Sequence, residues 1–261
     1  MNKIYYLTSM ISPFPLFAPI AKPPWTKLGR KLESQCRKAL LTFSLVTNCR
    51  KIAIALSGGK DSLTLLYLLH AIQGNGFSPL EITAIHIYGE FSCGPKITLS
   101  FLERICAQLN VNLVIKKIEQ DRQSLSCYSC SRKRRQLIFT TAKELGITTI
   151  AFGHHREDSI QTLLLNLLHK GEFAANLPKV PMHRYGITII RPLLFAKEID
   201  IIAFATLYKF NRISCQCPIG QSSKRQDVKS LLLHLENLFP NTRKNLMQAA
   251  LNYGSNKALT L

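Results

Sequence analysis

Residues 51–62 have the sequence KIAIALSGGKDS, a short apolar run that ends in a loop with two glycines. The run over 51–56 predicts a buried strand, and the leucine-rich residues 63–69 predict a helix directly after the loop. Glycine lets a backbone approach phosphate oxygens without a Cβ clash, and the amides at the start of a helix point towards a bound anion. The stretch therefore predicts a strand–loop–helix unit that binds a phosphate-containing ligand.

The rest of the chain alternates between short apolar runs and helical segments. Further strands are predicted at 81–88, 112–118, 148–152 and 186–191, and further helices at 28–45, 98–109, 132–145, 159–168, 197–208, 228–238 and 242–252. This alternation predicts an α/β fold, with a doubly wound, mostly parallel sheet and flanking helices at both ends of the chain. Ligands of such folds bind at the carboxyl ends of the strands, where the loops after Leu56 and Phe152 both lie.

The loop after Leu56 carries groups suited to a nucleotide triphosphate. Lys60 supplies a positive charge, Asp61 supplies a carboxylate for Mg²⁺, and two serines supply hydroxyl donors. The spacing differs from that of the Walker A loop and from that of the dinucleotide fingerprint. The predicted ATP-binding residues of this loop are Ser57, Gly58, Gly59, Lys60, Asp61 and Ser62.

A second loop, residues 153–158 with the sequence GHHRED, follows the predicted strand 148–152. Its position predicts that Gly153 contacts the same nucleotide and that Asp158 is a second magnesium or phosphate-side ligand. The predicted contacts to an anion in this loop are His154, His155 and Arg156.

The composition indicates a globular protein with a polyanionic partner. The chain has 261 residues, of which 46% are hydrophobic, and this length fits one large domain. Its formal net charge of +19 is typical of proteins that bind nucleic acid or an anionic membrane surface. No uninterrupted apolar run reaches the roughly 18 residues that span a bilayer, and no membrane association is predicted. The predicted organisation is a flexible lead-in over 1–26, one domain over 27–252 and a tail over 253–261.

Two close cysteine pairs predict a metal centre. Cys127-x-x-Cys130 and Cys215-x-Cys217 each place two sulfurs where one centre can bind both. Eight cysteines are too sparse in a chain of this length for a disulfide framework. A reducing compartment, the cytoplasm, is therefore predicted, with structural thiols at Cys36, Cys49 and Cys106.

The loop at 57–62 resembles the signature of the PP-loop ATP pyrophosphatases, which cleave ATP between the α- and β-phosphates to adenylate a substrate oxygen. With the GHH loop, the cysteines and the IRPL sequence at 190–193, the chain resembles, from about residue 28 to about residue 252, the tRNA 2-thiocytidine synthetases. These enzymes insert sulfur into cytidine 32 of the anticodon loop. The resemblance implies an adenine nucleotide α-hydrolase-like fold, ATP, Mg²⁺ and a [4Fe–4S] cluster held by three cysteines. By motif position, it implies catalytic roles for Lys60, Asp61 and Asp158 and cluster ligation by Cys127, Cys130 and Cys215.

The resemblance also implies partners. They are the tRNA anticodon loop and a sulfur donor such as a cysteine desulfurase, and a homodimer is among the assemblies that it allows. The basic run directly after the first cysteine pair is the predicted tRNA-binding segment, namely Arg132, Lys133, Arg134 and Arg135.

The chain departs from the family pattern at three places. The second cysteine pair is Cys215-x-Cys217 instead of Cys-x-x-Cys, so that Cys217 has no counterpart. Tyr88 stands at the end of the second strand, where the family has an acidic residue, and Glu157 replaces an Asp. These changes bear on nucleotide, metal and cluster contacts.

Two other functions compete with thiolation. A lysidine-forming tRNA ligase also belongs to the PP-loop enzymes, but its chemistry uses free lysine and needs no cysteine centre. A basic RNA-binding protein with structural Zn²⁺ would use four thiolates in tetrahedral geometry. Participation of Cys217 in the metal site would favour zinc.

Overall fold

The protein is described by a computed structural model over residues 21–89, 96–119, 127–210 and 224–255, without the side chains of 96–98 and 127. Its strands are β1 (Lys51–Ala55), β2 (Glu81–Tyr88), β3 (Asn112–Lys117), β4 (Thr149–Ala151), β5 (Lys179–Met182) and β6 (Ile187–Ile190). Its helices are α1 (Lys27–Thr42), α2 (Lys60–Ile72), α3 (Lys96–Gln108), α4 (Cys127–Glu144), α5 (Arg156–Lys170), α6 (Glu198–Leu207), α7 (Lys224–Leu238) and α8 (Thr242–Tyr253). The strands form a single sheet in the order β3-β2-β1-β4-β6-β5.

The predicted α/β fold with a mostly parallel sheet is confirmed. Neighbouring strands are parallel from β3 to β6, and β5 alone runs antiparallel, to β6. β5 was not predicted, because a four-residue edge strand that contains Pro181 has a weak apolar pattern. Helix α4 begins at Cys127 instead of residue 132, so that the segment from Cys127 to Cys130 forms its first turn.

Helices cover both faces of the sheet, which explains why the central strands are apolar throughout. One face packs against α1, α2, α3 and α6 in a core that includes Leu32, Leu66 and Phe204. The other face packs against α4 through Ile138 and Phe139. Ala21 and Trp25 are buried in the first of these cores, so the packed structure begins ahead of α1.

The C-terminal helices pack on α5 instead of on the sheet. Ile160 and Leu164 of α5 contact Val228 and Leu232 of α7 and Met247 of α8 in a separate apolar cluster. This packing brings the first turn of α7 next to the first turn of α5. None of the helices within the described ranges is both long enough and apolar enough to cross a membrane.

The strand order places a crevice between β1 and β4. From β1 the chain proceeds outwards through β2 and β3, and it then returns to β4 on the opposite side of β1. The loops that follow β1 and β4 therefore leave the sheet at a topological switch point, where open α/β sheets bind their ligands. These are the two loops that the sequence singled out.

Candidate active site

The first loop folds around its own serines before α2 begins. The Ser57 hydroxyl accepts a hydrogen bond from the Gly59 amide at 3.3 Å and lies 3.1 Å from the Ser62 hydroxyl. The Ser62 hydroxyl donates to the Gly59 carbonyl at 3.0 Å. Gly58 has φ of +84°, a conformation that favours glycine. The result is a short turn whose backbone is exposed to a ligand at the N-terminus of α2.

The second loop lies directly against the first at Gly153. A Cβ on Gly153 would stand 2.9 Å from the carbonyl carbon of Asp61 and 3.0 Å from the amide nitrogen of Ser62. Only a residue without a side chain allows this approach. The two predicted loops therefore form one site, and Gly153 acts through packing between them.

Lys60 is balanced by two carboxylates. Its Nζ lies 2.8 Å from Asp61 Oδ1 and 3.4 Å from Glu198 Oε1, and Lys229 of α7 lies 3.6 Å from the other oxygen of Glu198. Burial opposes ionisation of Lys60, but the charges of Asp61 and Glu198 outweigh it and raise the lysine pKa. Glu198 was not predicted from the sequence, because it begins a helix far along the chain without a recognisable motif.

His155 joins the two predicted magnesium ligands. Its Nε2 lies 3.7 Å from Asp61 Oδ1 and 3.4 Å from Asp158 Oδ2, and its backbone amide donates to the latter oxygen at 3.1 Å. Burial opposes protonation of His155, but Glu157, Asp158 and Asp61 together raise its pKa. Burial raises the pKa of Asp61, and the charge of Asp158 adds to this effect. His155 is thus a buried bridge between the carboxylates of Asp61 and Asp158.

Glu157 faces away from this pair of carboxylates. Its Oε2 accepts a hydrogen bond from the Glu198 amide at 2.7 Å, and its Oε1 accepts one from Arg156 Nε at 3.0 Å. Burial opposes ionisation of Glu157, yet His155, Arg156 and the Glu198 amide outweigh it and lower its pKa to about 2. Glu157 therefore anchors the start of α6 and balances the charge of Arg156. The longer side chain at this position reaches a neighbouring helix.

Glu157→Gln tests this anchoring role. We expect a loss of about 2 kcal/mol of unfolding free energy at pH 7, because a buried charged acceptor is replaced by a neutral amide. Since the pKa of Glu157 falls from 4.5 to about 2 on folding, the wild type should hold this stability above about pH 4.5 and lose it as the pH falls towards 2. Urea unfolding at several pH values measures both effects.

Glu144→Gln is the matched control. Glu144 is an exposed carboxylate, 3.5 Å from Lys116. Its loss should change stability by less than about 0.5 kcal/mol at any of these pH values. An equal loss of unfolding free energy in Glu157→Gln and Glu144→Gln would contradict the anchoring role of Glu157.

His154 and Arg191 form a second arrangement at the same edge of the sheet. The His154 ring is stacked on Phe152, with ring centres 5.6 Å apart and planes 7° apart. Arg191, directly after β6, donates from Nε to His154 Nδ1 at 3.3 Å. Burial, followed by the charge of Arg191, lowers the pKa of His154 to about 4. Arg191 was part of the IRPL resemblance, but its contact with His154 emerges only in the folded chain.

The predicted basic run lies on the first turns of α4. Arg132 and Lys133 are exposed, whereas Arg134 is half-buried beside His86 of β2. Arg135 donates to the Ser131 carbonyl at 3.3 Å and lies close enough to Arg191 to lower the pKa of that guanidinium. The run is therefore divided between solvent and the edge of the site.

The predicted cluster ligands are only partly described. Cys130 is half-buried on the first turn of α4, which Cys127 begins. Cys215 and Cys217 lie outside the described residues, as does Cys93. Arg225, in the first turn of α7, lies 3.8 Å from Asp158 Oδ1, so that the chain after Cys217 returns to the site. Cys36 and Cys106, predicted as structural thiols, are buried, and burial raises the pKa of each to about 12.

Comparison with known proteins agrees with this architecture. Residues 28–250 match the PP-loop domain family. The chain is 32% identical to the tRNA-cytidine(32) 2-sulfurtransferase of Nitrosospira multiformis over 87% of this chain and 78% of that protein. It is 32% identical to the enzyme of the same name from Mesorhizobium japonicum over 91% of this chain and 83% of that protein.

A solved structure shares the fold. The U34-tRNA thiolase NcsA from Methanococcus maripaludis, determined with its [4Fe-4S] cluster, superposes with a TM-score of 0.70 at 22% identity, over 85% of this chain and 78% of that one. From the matched domain and the extent of sequence identity, this chain belongs to the tRNA-cytidine(32) 2-sulfurtransferase family of PP-loop transferases.

Proposed function

We propose that this protein uses ATP to replace the C2 oxygen of a cytidine in the tRNA anticodon loop, at position 32, with sulfur. The observation that carries the proposal is the meeting of Lys60, Asp61 and Asp158 at the switch point of the sheet, in a chain whose helix α4 has Cys127 and Cys130 in its first turn. The family membership supports the same activity, since its curated members are named for this reaction.

The reaction has two stages that balance without a change of oxidation state. The C2 oxygen of the base attacks the α-phosphorus of ATP, the bond to the β-phosphate breaks, and pyrophosphate leaves. Hydrosulfide-level sulfur then attacks C2, the carbon–oxygen bond breaks, and AMP leaves with the oxygen. The loop amides and Lys60 would stabilise the charge on the phosphates, because fixed donors need no reorganisation during the reaction.

The two carboxylates fit a Mg²⁺ ion. Asp61 and Asp158 both lie against the same nitrogen of His155; burial raises the pKa of Asp61, and repulsion by the charge of Asp158 adds to this effect. A divalent cation prefers carboxylate oxygens and would relieve this repulsion. Asp61 and Asp158 are therefore the residues that would hold the metal, which would offset charge on the phosphates.

The first turn of α4 fits the cluster. Residues three apart on a helix lie on one face, so Cys127 and Cys130 can bind one centre. Arg135, further along the same helix, lies close enough to Arg191 to lower the pKa of that guanidinium. We propose that Cys127, Cys130 and Cys215 hold a [4Fe–4S] cluster. Held by three cysteines, such a cluster would supply an iron site for the incoming sulfur.

Cations from three elements support a tRNA partner. Arg191 after β6 and Arg225 of α7 lie around Asp158 and His154, Arg135 of α4 lies near Arg191, and Arg132 and Lys133 are exposed on the surface. Phosphate contacts of this kind release counterions and weaken with salt. A cytoplasmic location, a cysteine desulfurase as sulfur donor and a homodimer complete the proposal.

The double substitution Arg132→Gln and Lys133→Gln should weaken tRNA binding at low salt. We expect the slope of log K against log salt to fall by about 1 to 2, because each lost phosphate contact removes roughly one released counterion. Filter binding across a salt series measures this slope. Lys170→Gln, at the far end of α5, is the control and should leave the slope unchanged. Equal slopes for wild type and double variant would remove this segment from the tRNA interface.

Anaerobic reconstitution tests the proposed function as a whole. The purified protein, tRNA, Mg-ATP and sulfide should give 2-thiocytidine, detected by mass spectrometry of nucleosides, with one AMP and one pyrophosphate for each sulfur inserted. About four irons per chain with matching sulfide are expected. Stoichiometric zinc without iron would overturn the cluster and favour a structural metal site. Lysine incorporation instead of sulfur would identify a lysidine ligase.

A further inference from the structure

Arg191 is a buried cation whose described hydrogen bonds go to uncharged groups. It is 8% exposed, its Nε donates to His154 Nδ1 at 3.3 Å, and its Nη1 donates to the Leu177 carbonyl. Burial, together with the charge of Arg135, lowers its pKa to about 10. A buried guanidinium whose described hydrogen bonds go to uncharged groups is costly for folding, even though the charge of Asp158 favours its ionisation. A function of Arg191 in the candidate active site would explain why this costly buried charge is present.

The hydrogen bond to Arg191 decides where the His154 proton lies. Arginine has only donors, so Nδ1 of His154 must accept with its lone pair. The proton of the neutral ring then resides on Nε2. Stacking on Phe152 fixes the ring plane, and Phe152 is itself buried against Phe139. Two contacts therefore set both the tautomer and the orientation of His154.

We propose that Arg191 is a positioning residue that holds His154 as a neutral Nε2–H donor, and that this donor binds an acceptor on the Watson–Crick edge of the target base. The proposal rests on the function proposed above. In the function proposed above, Lys60 and the loop amides would already bind the phosphates. A neutral donor one residue from Gly153 suits an uncharged carbonyl or ring nitrogen, which is how unstacked RNA bases are recognised.

The charged groups around His154 favour this neutral form. Arg191 from β6, Arg225 from α7 and His155 from its own loop all oppose a positive charge on the ring, and Asp158 of α5 favours one. The charge of Arg135 of α4 acts on Arg191. Burial adds to the effect of the three cationic neighbours. His154 should therefore remain uncharged through the neutral pH range.

The test is ¹⁵N NMR of the holoenzyme with labelled histidine, assigned by comparison with His154→Gln. We expect an unprotonated Nδ1 and a protonated Nε2 for His154 between about pH 5.5 and about pH 8. Arg191→Met should yield mixed tautomers and lower the kcat of thiolation about 10- to 100-fold, with the KM for ATP unchanged. Arg191→Lys keeps a charged donor. Compared with Arg191→Met, it should show a larger population of the Nε2–H tautomer of His154 and a higher kcat of thiolation.

Arg243→Met is the matched control, since Arg243 is also largely buried but pairs with Glu236 on the C-terminal helices. It should leave the His154 signals and kcat unchanged. A proton on Nδ1, or an imidazolium at pH 7, in the wild type would overturn the proposal whatever reaction the enzyme performs. If the wild type shows the predicted tautomer but His154→Leu still thiolates tRNA at the full rate, the proposed contact between His154 and the base is wrong. Absence of thiolation by the wild type would instead count against the proposed function.

Discussion

Replacement of Cys130 by alanine should abolish tRNA thiolation and leave ATP binding nearly intact. Cys130 lies on the first turn of α4, whereas Lys60, Asp61 and His155, which would face the nucleotide, lie on α2 and on the loop before α5. Loss of one of three thiolates should reduce bound iron from about four atoms per chain to near zero. Cys215→Ala should have the same effect. Iron and sulfide analysis, ATP binding by calorimetry and nucleoside mass spectrometry measure the three quantities.

Cys49→Ala is the matched control for these variants. Cys49 is half-exposed just before β1, at the end of the strand opposite to the nucleotide loop, and its thiol lies 3.1 Å from the Lys51 carbonyl. Iron content and thiolation should be unchanged. Cys217→Ala separates the two metal hypotheses, since a three-cysteine cluster tolerates its loss and a four-cysteine zinc site does not. Normal thiolation by Cys130→Ala would contradict the cluster proposal.

Gly153→Ala should lower thiolation about 100-fold, since a displacement of the order of 1 Å in a positioned loop has an effect of this size. The added Cβ would meet backbone atoms of Asp61 and Ser62, in the first turn of α2, at 2.9 to 3.0 Å. The loop after β1 must shift, and the amides and Lys60 shift with it. We expect the KM for ATP to rise and pyrophosphate release to slow, measured by steady-state kinetics with tRNA present.

Gly171→Ala is the control for Gly153→Ala. Gly171 ends α5 with φ of +65° and has open space around its Cα, so alanine adds backbone strain but no clash. A loss of about 1 kcal/mol in stability with normal kinetics is expected. Thermal unfolding of both variants distinguishes misfolding from a displaced loop. Wild-type kinetics for Gly153→Ala would mean that the close approach of the two loops has no part in nucleotide binding.

Much of the fold could be predicted from local patterns. The apolar runs that became β1, β2, β4 and β6 are largely buried, and such strands stand out in sequence; β3, at the edge of the sheet, is half-buried but also has an apolar run. β5 could not be found, because an edge strand with Pro181 and half-exposed residues has no strong pattern. The start of α4 at Cys127 was also missed, since polar and cysteine residues lack a helical apolar repeat.

Some residues of the candidate site could likewise be predicted from local patterns, and others could not. Lys60, Asp61, Gly153 and Asp158 could be found because each follows the carboxyl end of a strand within a compact motif. Glu198 and Arg225 could not, because they lie on helices remote in sequence, and only packing brings them to Lys60 and Asp158. Local patterns also could not assign different roles to the nearby residues His155 and Glu157. In the structure, His155 bridges two carboxylates and Glu157 anchors α6.

The sequence by itself determined the α/β architecture, the two loops and the family, since each depends on contiguous residues whose spacing reflects backbone geometry. The tertiary structure alone decided the charge state and orientation of the groups within the site. Burial and neighbours from distant elements set these properties, as Arg191 does for His154 and Glu198 does for Lys60. Such electrostatic contacts depend on distances of a few ångströms between segments that are remote in sequence. Local sequence patterns do not specify these distances.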